Sequence, residues 1–240
     1  MNQNADQDKQ ERAKAEFDLL ADEYHDMHKN NITVSGEDPD FFAEYKIADL
    51  AALAESKGIA VRSIFDFGCG IGNSIPFFRK YFPDAVITCG DVSERSMEIA
   101  KTRFPGNEAF SLIDRSIPLG TASQDVVFTA CVFHHIPHDD HAHWLQELRR
   151  ITRPGGLLAI YEHNPLNPLT VKAVNTCPLD VNAKLILGRS MGQRAVKAGW
   201  TQPEVSYKIF FPSVLKKLRP LEKRLTWLPL GAQYVMSARA

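Results

Sequence analysis

A doubly wound α/β fold with a mostly parallel sheet of seven strands is predicted by three observations. From Val61 onward, short apolar runs alternate with amphipathic stretches, the signature of βαβ units. The first of these runs ends in a glycine-rich turn that opens directly into a helix. After the fifth such run, two more strand-like segments follow without a linker and read as a hairpin-like pair completing the same sheet.

The elements follow in order. A polar start is followed by a helix expected over about residues 11–24. A second helix opens at SGEDPDFF, where Asp38 caps, Pro39 takes the first helical position and Gly58 stops the run. Ala43, Ile47, Leu50 and Ala54 mark its apolar face. These two helices, residues 1–58, are expected to form a lid within the same domain as the core, residues 59–240. Tyr24, Phe41, Phe42 and Tyr45 give that lid an aromatic surface suited to excluding water from a ligand. The core strands are VRSIFDF, AVITCGD, EAFSLI, DVVFTACVF and GLLAIYE, then EVSYKIFF and GAQYVMSARA. Helices are expected over residues 73–81, 93–104, 139–152 and 188–200. Right-handed crossovers between parallel strands put helices on both faces of the sheet.

Composition narrows the function. The 240 residues carry a net charge of −1, with 44% apolar and 24% charged side chains, a globular balance without a chain-wide basic footprint for nucleic acid. No apolar run reaches the roughly 20 residues of a membrane span. The start is too polar for a signal peptide, and Cys69, Cys89, Cys131 and Cys177 lack paired spacing, so reduced thiols and a cytoplasmic location are expected. A leucine- and lysine-rich stretch over residues 210–230 admits a weak peripheral contact with an anionic membrane, although Pro220 interrupts it.

The sharpest motif is Asp66-Phe67-Gly68-Cys69-Gly70-Ile71-Gly72, where strand turns into helix. Its spacing is G-x-G-x-G, unlike the G-x-G-x-x-G of dinucleotide sites. A carboxylate at position 66 repels a pyrophosphate and attracts an amine. Asp91, at the end of the second strand, suits two ribose hydroxyls. A nucleoside with an amino-acid tail satisfies both, and S-adenosylmethionine is such a molecule.

FDFGCGIGNS, CGDVSERSMEIA, IPLGTASQDVVFTACVFHHI and RRITRPGGLLAIYE, in this order, resemble the motifs of class I, Rossmann-like S-adenosylmethionine-dependent methyltransferases. The resemblance implies that Asp66, Gly68, Gly70 and Gly72 hold the methionine moiety and Asp91 the ribose. It also implies that Val92 and Asp114 meet the adenine and that Cys131 lies under the sulfonium. Arg115 follows Asp114 where the family has a small residue, so Ser111 or Ile113 stands as an alternative contact.

Candidate acceptor-side groups sit at two strand ends. Five of the eight histidines fall between His134 and His143. His135 is a candidate base at the mouth of the fourth strand, and Glu162 and His163 are candidates at the end of the fifth. Asn164 is a candidate for orienting a hydroxyl or carbonyl. No metal site is expected, because Pro137 breaks the histidine run and no cysteine or carboxylate at regular spacing completes a ligand set. The expected function is methyl transfer from S-adenosylmethionine to a small-molecule acceptor, on oxygen or nitrogen. The alternatives are a noncatalytic S-adenosylmethionine binder and a nicotinamide-dependent oxidoreductase.

Overall fold

The computed structural model describes residues 36–240. The helix expected over 11–24, with Tyr24, lies outside the described residues. A seven-stranded sheet has the order β3-β2-β1-β4-β5-β7-β6. Its strands are β1 (Ser63–Phe67), β2 (Val86–Asp91), β3 (Ala109–Leu112), β4 (Gln124–Ala130), β5 (Thr152–His163), β6 (Thr201–Lys208) and β7 (Gln233–Arg239). All neighbours are parallel except β7, which runs antiparallel to both β5 and β6. The last two strands therefore complete the sheet as expected, joined by a long excursion that includes a 3-10 stretch over Ser213–Arg224.

Six helices are described: α1 (Pro39–Ser56), α2 (Ile75–Tyr81), α3 (Glu94–Arg103), α4 (His141–Ile151), α5 (Pro168–Thr176) and α6 (Gly188–Lys197). The strands sort their side chains by the period of two that extended backbone imposes. Val126, Phe128, Leu157, Ala159 and Tyr161 face α1, α2 and α3, whereas Val127, Leu158 and Ile160 face α4 and α6. Because both faces are covered, the strand cores are apolar throughout.

Sequence explains most of the helix starts. Asp38 accepts from Phe41 N–H and Pro39 follows it, opening α1 where expected. α1 is not a detached lid. Ile47 and Leu50 are fully buried in the core, and Asp49 accepts both the Tyr161 hydroxyl of β5 (2.9 Å) and the Lys208 ammonium of β6 (2.6 Å). Sequence reading missed α5, whose start is an Asn-Pro pair. Asn167 Oδ1 accepts from Leu169 and Thr170 N–H, and Pro168 occupies the first turn.

Leu218, Leu221, Trp227 and Leu230 are exposed in the 210–230 stretch. Among the described residues, no helix is long and apolar enough to cross a membrane.

Candidate functional site

The carboxyl ends of the central strands open on a cavity of about 790 Å³, where open α/β sheets place their ligands. Asp66 lies near the end of β1, between Cys89 of β2 and Phe128 of β4. It is 2% exposed, yet its Oδ2 has no hydrogen-bond partner. Burial, reinforced by the neighbouring Asp91 carboxylate, pushes its pKa up to about 8. A desolvated carboxyl with an unanswered oxygen on a cavity wall is a socket for a cation, because a cation restores what burial removed.

The turn after β1 is held in left-handed backbone, with φ of +77° at Gly68 and +50° at Gly70. A Cβ at Gly68 would sit 2.4 Å from a Val132 methyl, whereas one at Gly70 would meet nothing. Side-chain bulk at position 68 therefore breaks the loop, and bulk at 70 enters the cradle itself. Gly72 does not line the cavity. A Cβ there would press on Ala100 and Ile75 at 2.9 Å, so its expected contact with a methionine moiety gives way to packing between α2 and α3.

Asp91 closes β2 and fastens this turn. Its Oδ2 accepts from Gly70 N–H at 2.7 Å and its Oδ1 from Ser93 N–H at 2.9 Å. Val92 and Asp114 also line the cavity, with Asp114 exposed at the rim and Ile113 buried beside it.

At the other end, Cys131 follows β4 in left-handed backbone (φ 59°), an uncommon conformation for a residue with a side chain. Burial would raise its thiol, but the positive charges of Lys46 and His163 outweigh it and bring the pKa to about 7. Burial opposes protonation of His163, while Cys131 raises its pKa by charge and hydrogen bond. Lys46, which sequence reading passed over, projects from α1 onto the cavity wall. It is 9% exposed and has no acidic partner among the described residues.

Three expected roles need correction. Glu162, 1% exposed, is absent from the cavity wall. Its Oε1 accepts from Val132 N–H (3.1 Å) and Phe133 N–H (2.7 Å), and its Oε2 pairs with His134 Nδ1 at 2.6 Å. Burial pushes the carboxyl up, but His134 holds it below its ordinary value, and Glu162 organises the loop after β4 from behind the cavity wall. His135 does line the cavity, but burial and the adjacent His134 charge lower its pKa to about 4. That lies below the neutral range in which a general base works best. Asn164 is consumed by a turn: its Nδ2 donates to Gly231 O and Pro229 O, and its Oδ1 accepts from Leu166 N–H.

The aromatic surface also divides. Phe41 packs under the Arg219 guanidinium (4.4 Å) and against Tyr45, and neither aromatic lines the cavity. Phe42 does.

An ammonium-bearing nucleoside fits this arrangement on two observations: the unanswered Asp66 oxygen and the open space at Gly70. Residues 65–160 match the family model described as a methyltransferase domain. Trans-aconitate 2-methyltransferase of Rhodopseudomonas palustris (strain BisA53) is 34% identical over 114 residues, which cover 45% of this chain and 41% of that protein. Malonyl-[acyl-carrier protein] O-methyltransferase of Hahella chejuensis is 33% identical over 99 residues, covering 40% and 35%. The chain thus spans about two fifths of the curated relatives it matches. Among solved structures, an S-adenosylmethionine-dependent methyltransferase from Thermotoga maritima superposes with a TM-score of 0.65 at 18% identity, over 95% of this chain and 99% of that one. Phosphoethanolamine N-methyltransferase 2 of Haemonchus contortus, solved with S-adenosyl-L-methionine, gives 0.54 at 17%, over 75% and 49%. At these identities the structural likeness is one of fold. The match to a methyltransferase domain over residues 65–160, with the sheet order and the glycine turn, supports a class I, Rossmann-like S-adenosylmethionine-dependent methyltransferase.

Proposed function

We propose that this protein moves the methyl group of S-adenosylmethionine onto a carboxylate oxygen of a small acid, giving a methyl ester. One observation carries the reading: the Lys46 ammonium is buried on the cavity wall beside Cys131, with no acid to balance it among the described residues. A buried cation with no carboxylate beside it among the described residues is stabilised when a ligand anion joins it. The names of the two curated relatives point the same way, since trans-aconitate and a malonyl group both carry free carboxylates.

Bound S-adenosylmethionine supplies an electrophilic methyl on a sulfonium. The protein's residues have three tasks. Asp66 holds the amino-acid end through its ammonium, and Asp91 accepts from the ribose. Lys46, with His163 behind Cys131, binds the acceptor's carboxylate through one oxygen and leaves the other free to attack. As the new C–O bond forms and the C–S bond breaks, two opposite charges cancel, so no proton has to move. The place of Glu162 off the cavity wall and the lowered pKa of His135 suit such a reaction, because an ionised acid needs no general base. Orientation within attack distance is then the main contribution, together with exclusion of water by apolar walls.

A direct test uses cofactor labelled with deuterium on the methyl group and a panel of small di- and tricarboxylic acids, a malonyl thioester, a catechol and a primary amine. The expected product is an acid carrying the label, released by mild alkali as an ester must be. Label found only on the catechol or the amine would overturn the proposal.

A further inference from the structure

The cavity wall carries one cluster that methyl transfer does not use. His134 and His135 follow β4, and Asp180 ends the 3-10 turn Pro178–Asp180 beyond α5. His134 Nε2 lies 3.3 Å and His135 Nε2 3.5 Å from Asp180 Oδ1, and the three ligand atoms all fall within 4.8 Å of one another. All three residues line the cavity.

Two features distinguish this cluster from a chance gathering. His134 is 1% exposed, and its Nε2 makes no well-formed hydrogen bond, its nearest group being the Asp180 carboxylate at 3.3 Å. Its other nitrogen, Nδ1, is fixed at 2.6 Å from Glu162 Oε2, which the backbone of Val132 and Phe133 holds in turn. That is the carboxylate–histidine relay that orients an imidazole and presents its lone pair to a metal. The spacing fits as well. Ligands about 2.1 Å from a tetrahedral zinc ion are about 3.4 Å apart, the separation of both nitrogens from the carboxylate oxygen.

The geometry points to a divalent transition-metal site, of Zn²⁺ type, held by His134 Nε2, His135 Nε2 and Asp180 Oδ1 and open toward the acceptor space. Two imidazoles and one carboxylate suit a borderline-soft ion, whereas magnesium and calcium prefer oxygen alone. Three protein ligands leave a position for an oxygen of the acceptor, as in zinc sites that bind substrate. Sequence spacing hides the site because the carboxylate comes from a separate turn far along the chain, not from the histidine run.

The test needs neither cofactor nor acceptor, so its outcome is separable from that of the carboxylate proposal. The metal-stripped full-length chain is titrated with Zn²⁺ by calorimetry and, in parallel, with Co²⁺ by visible absorption. The expected result is one ion per chain and a Co²⁺ spectrum more intense than that of the aquo ion. His135→Ala and Asp180→Asn should each weaken binding by at least ~10-fold. The exposed pair His138→Ala and His143→Ala should leave it unchanged. An unchanged circular dichroism spectrum and melting temperature show that each variant is folded. Absence of stoichiometric Zn²⁺ binding, an aquo-like Co²⁺ spectrum, or equal affinity in His135→Ala and Asp180→Asn would overturn the site and leave the cluster an ion-pair network.

Discussion

Two buried carboxylates, one on the cavity wall and one behind the loop after β4, carry opposite kinds of information. Asp66, under the glycine turn, has an oxygen that no group answers. Glu162, under the loop after β4, has both oxygens committed to protein donors. They are equally hidden from water, at 2% and 1% exposure, yet only one has an oxygen left without a partner. Burial alone therefore does not mark a functional acid. An unmet hydrogen-bonding valence does, because the fold tolerates it only where something else supplies the partner.

The largest expected effect tests the committed member of this pair. Glu162→Ala strips partners from two backbone N–H groups and a buried imidazole, and should destabilise the fold by about 3–5 kcal/mol in denaturant unfolding. A loss below about 1 kcal/mol would mean that Glu162 is not the scaffold described here.

Asp66→Asn comes next and should behave in the reverse sense. The folded carboxyl keeps its proton to about pH 8, whereas its ordinary value is 3.8. Stability from this group is thus complete below the lower value and lost as pH rises toward the higher one. The asparagine variant should melt higher than the parent at pH 8 while losing cofactor affinity by about 1.5–3 kcal/mol. At pH 7 cofactor binding to the parent should expel a proton, visible as a binding heat that varies with the buffer's ionisation enthalpy. A buffer-independent heat would disconnect Asp66 from the ammonium.

Lys46→Met probes the acceptor half. A cation that grips the carboxylate before its charge is spent favours the bound acid over the transition state, so it lowers KM without raising kcat. The variant should therefore show KM for the acid raised about 10-fold and kcat nearly unchanged. A fall in kcat at constant KM would assign Lys46 a role in the transition state instead. Smallest is Asn167→Ala, which uncaps α5 and should cost about 1 kcal/mol in unfolding while sparing cofactor affinity.

The two halves of the cavity also differed in how far sequence exposed them. The strand–glycine–helix turn and Asp91 are short-range features: one motif, one strand end, one expected ligand, and the structure brings both to a single wall. The alternation of apolar runs was equally readable, and the parallel core follows it strand by strand. The acceptor half is assembled from distant pieces. Asp180 reaches His134 only because α5 and the turn after it fold back over β4. Lys46 was overlooked because lysine is read as solvent-facing, although it sits beside Ala43, Ile47 and Leu50 on the buried side of α1. A charged residue inside an apolar stripe is the signal that would have found it. Glu162 misled for the converse reason: a polar residue at a strand's carboxyl end resembles a catalytic group until its neighbours are known.

The anchoring of α1 through Asp49 bears on how an acid would be recognised. Since Tyr161 and Lys208 pin that helix from two strands, Lys46 is positioned once, during folding, and does not have to be collected at every encounter. The stationary ammonium then fixes where one carboxylate sits relative to the methyl group, so one acid would be told from another by how the rest of the molecule fits the cavity beyond that anchored group.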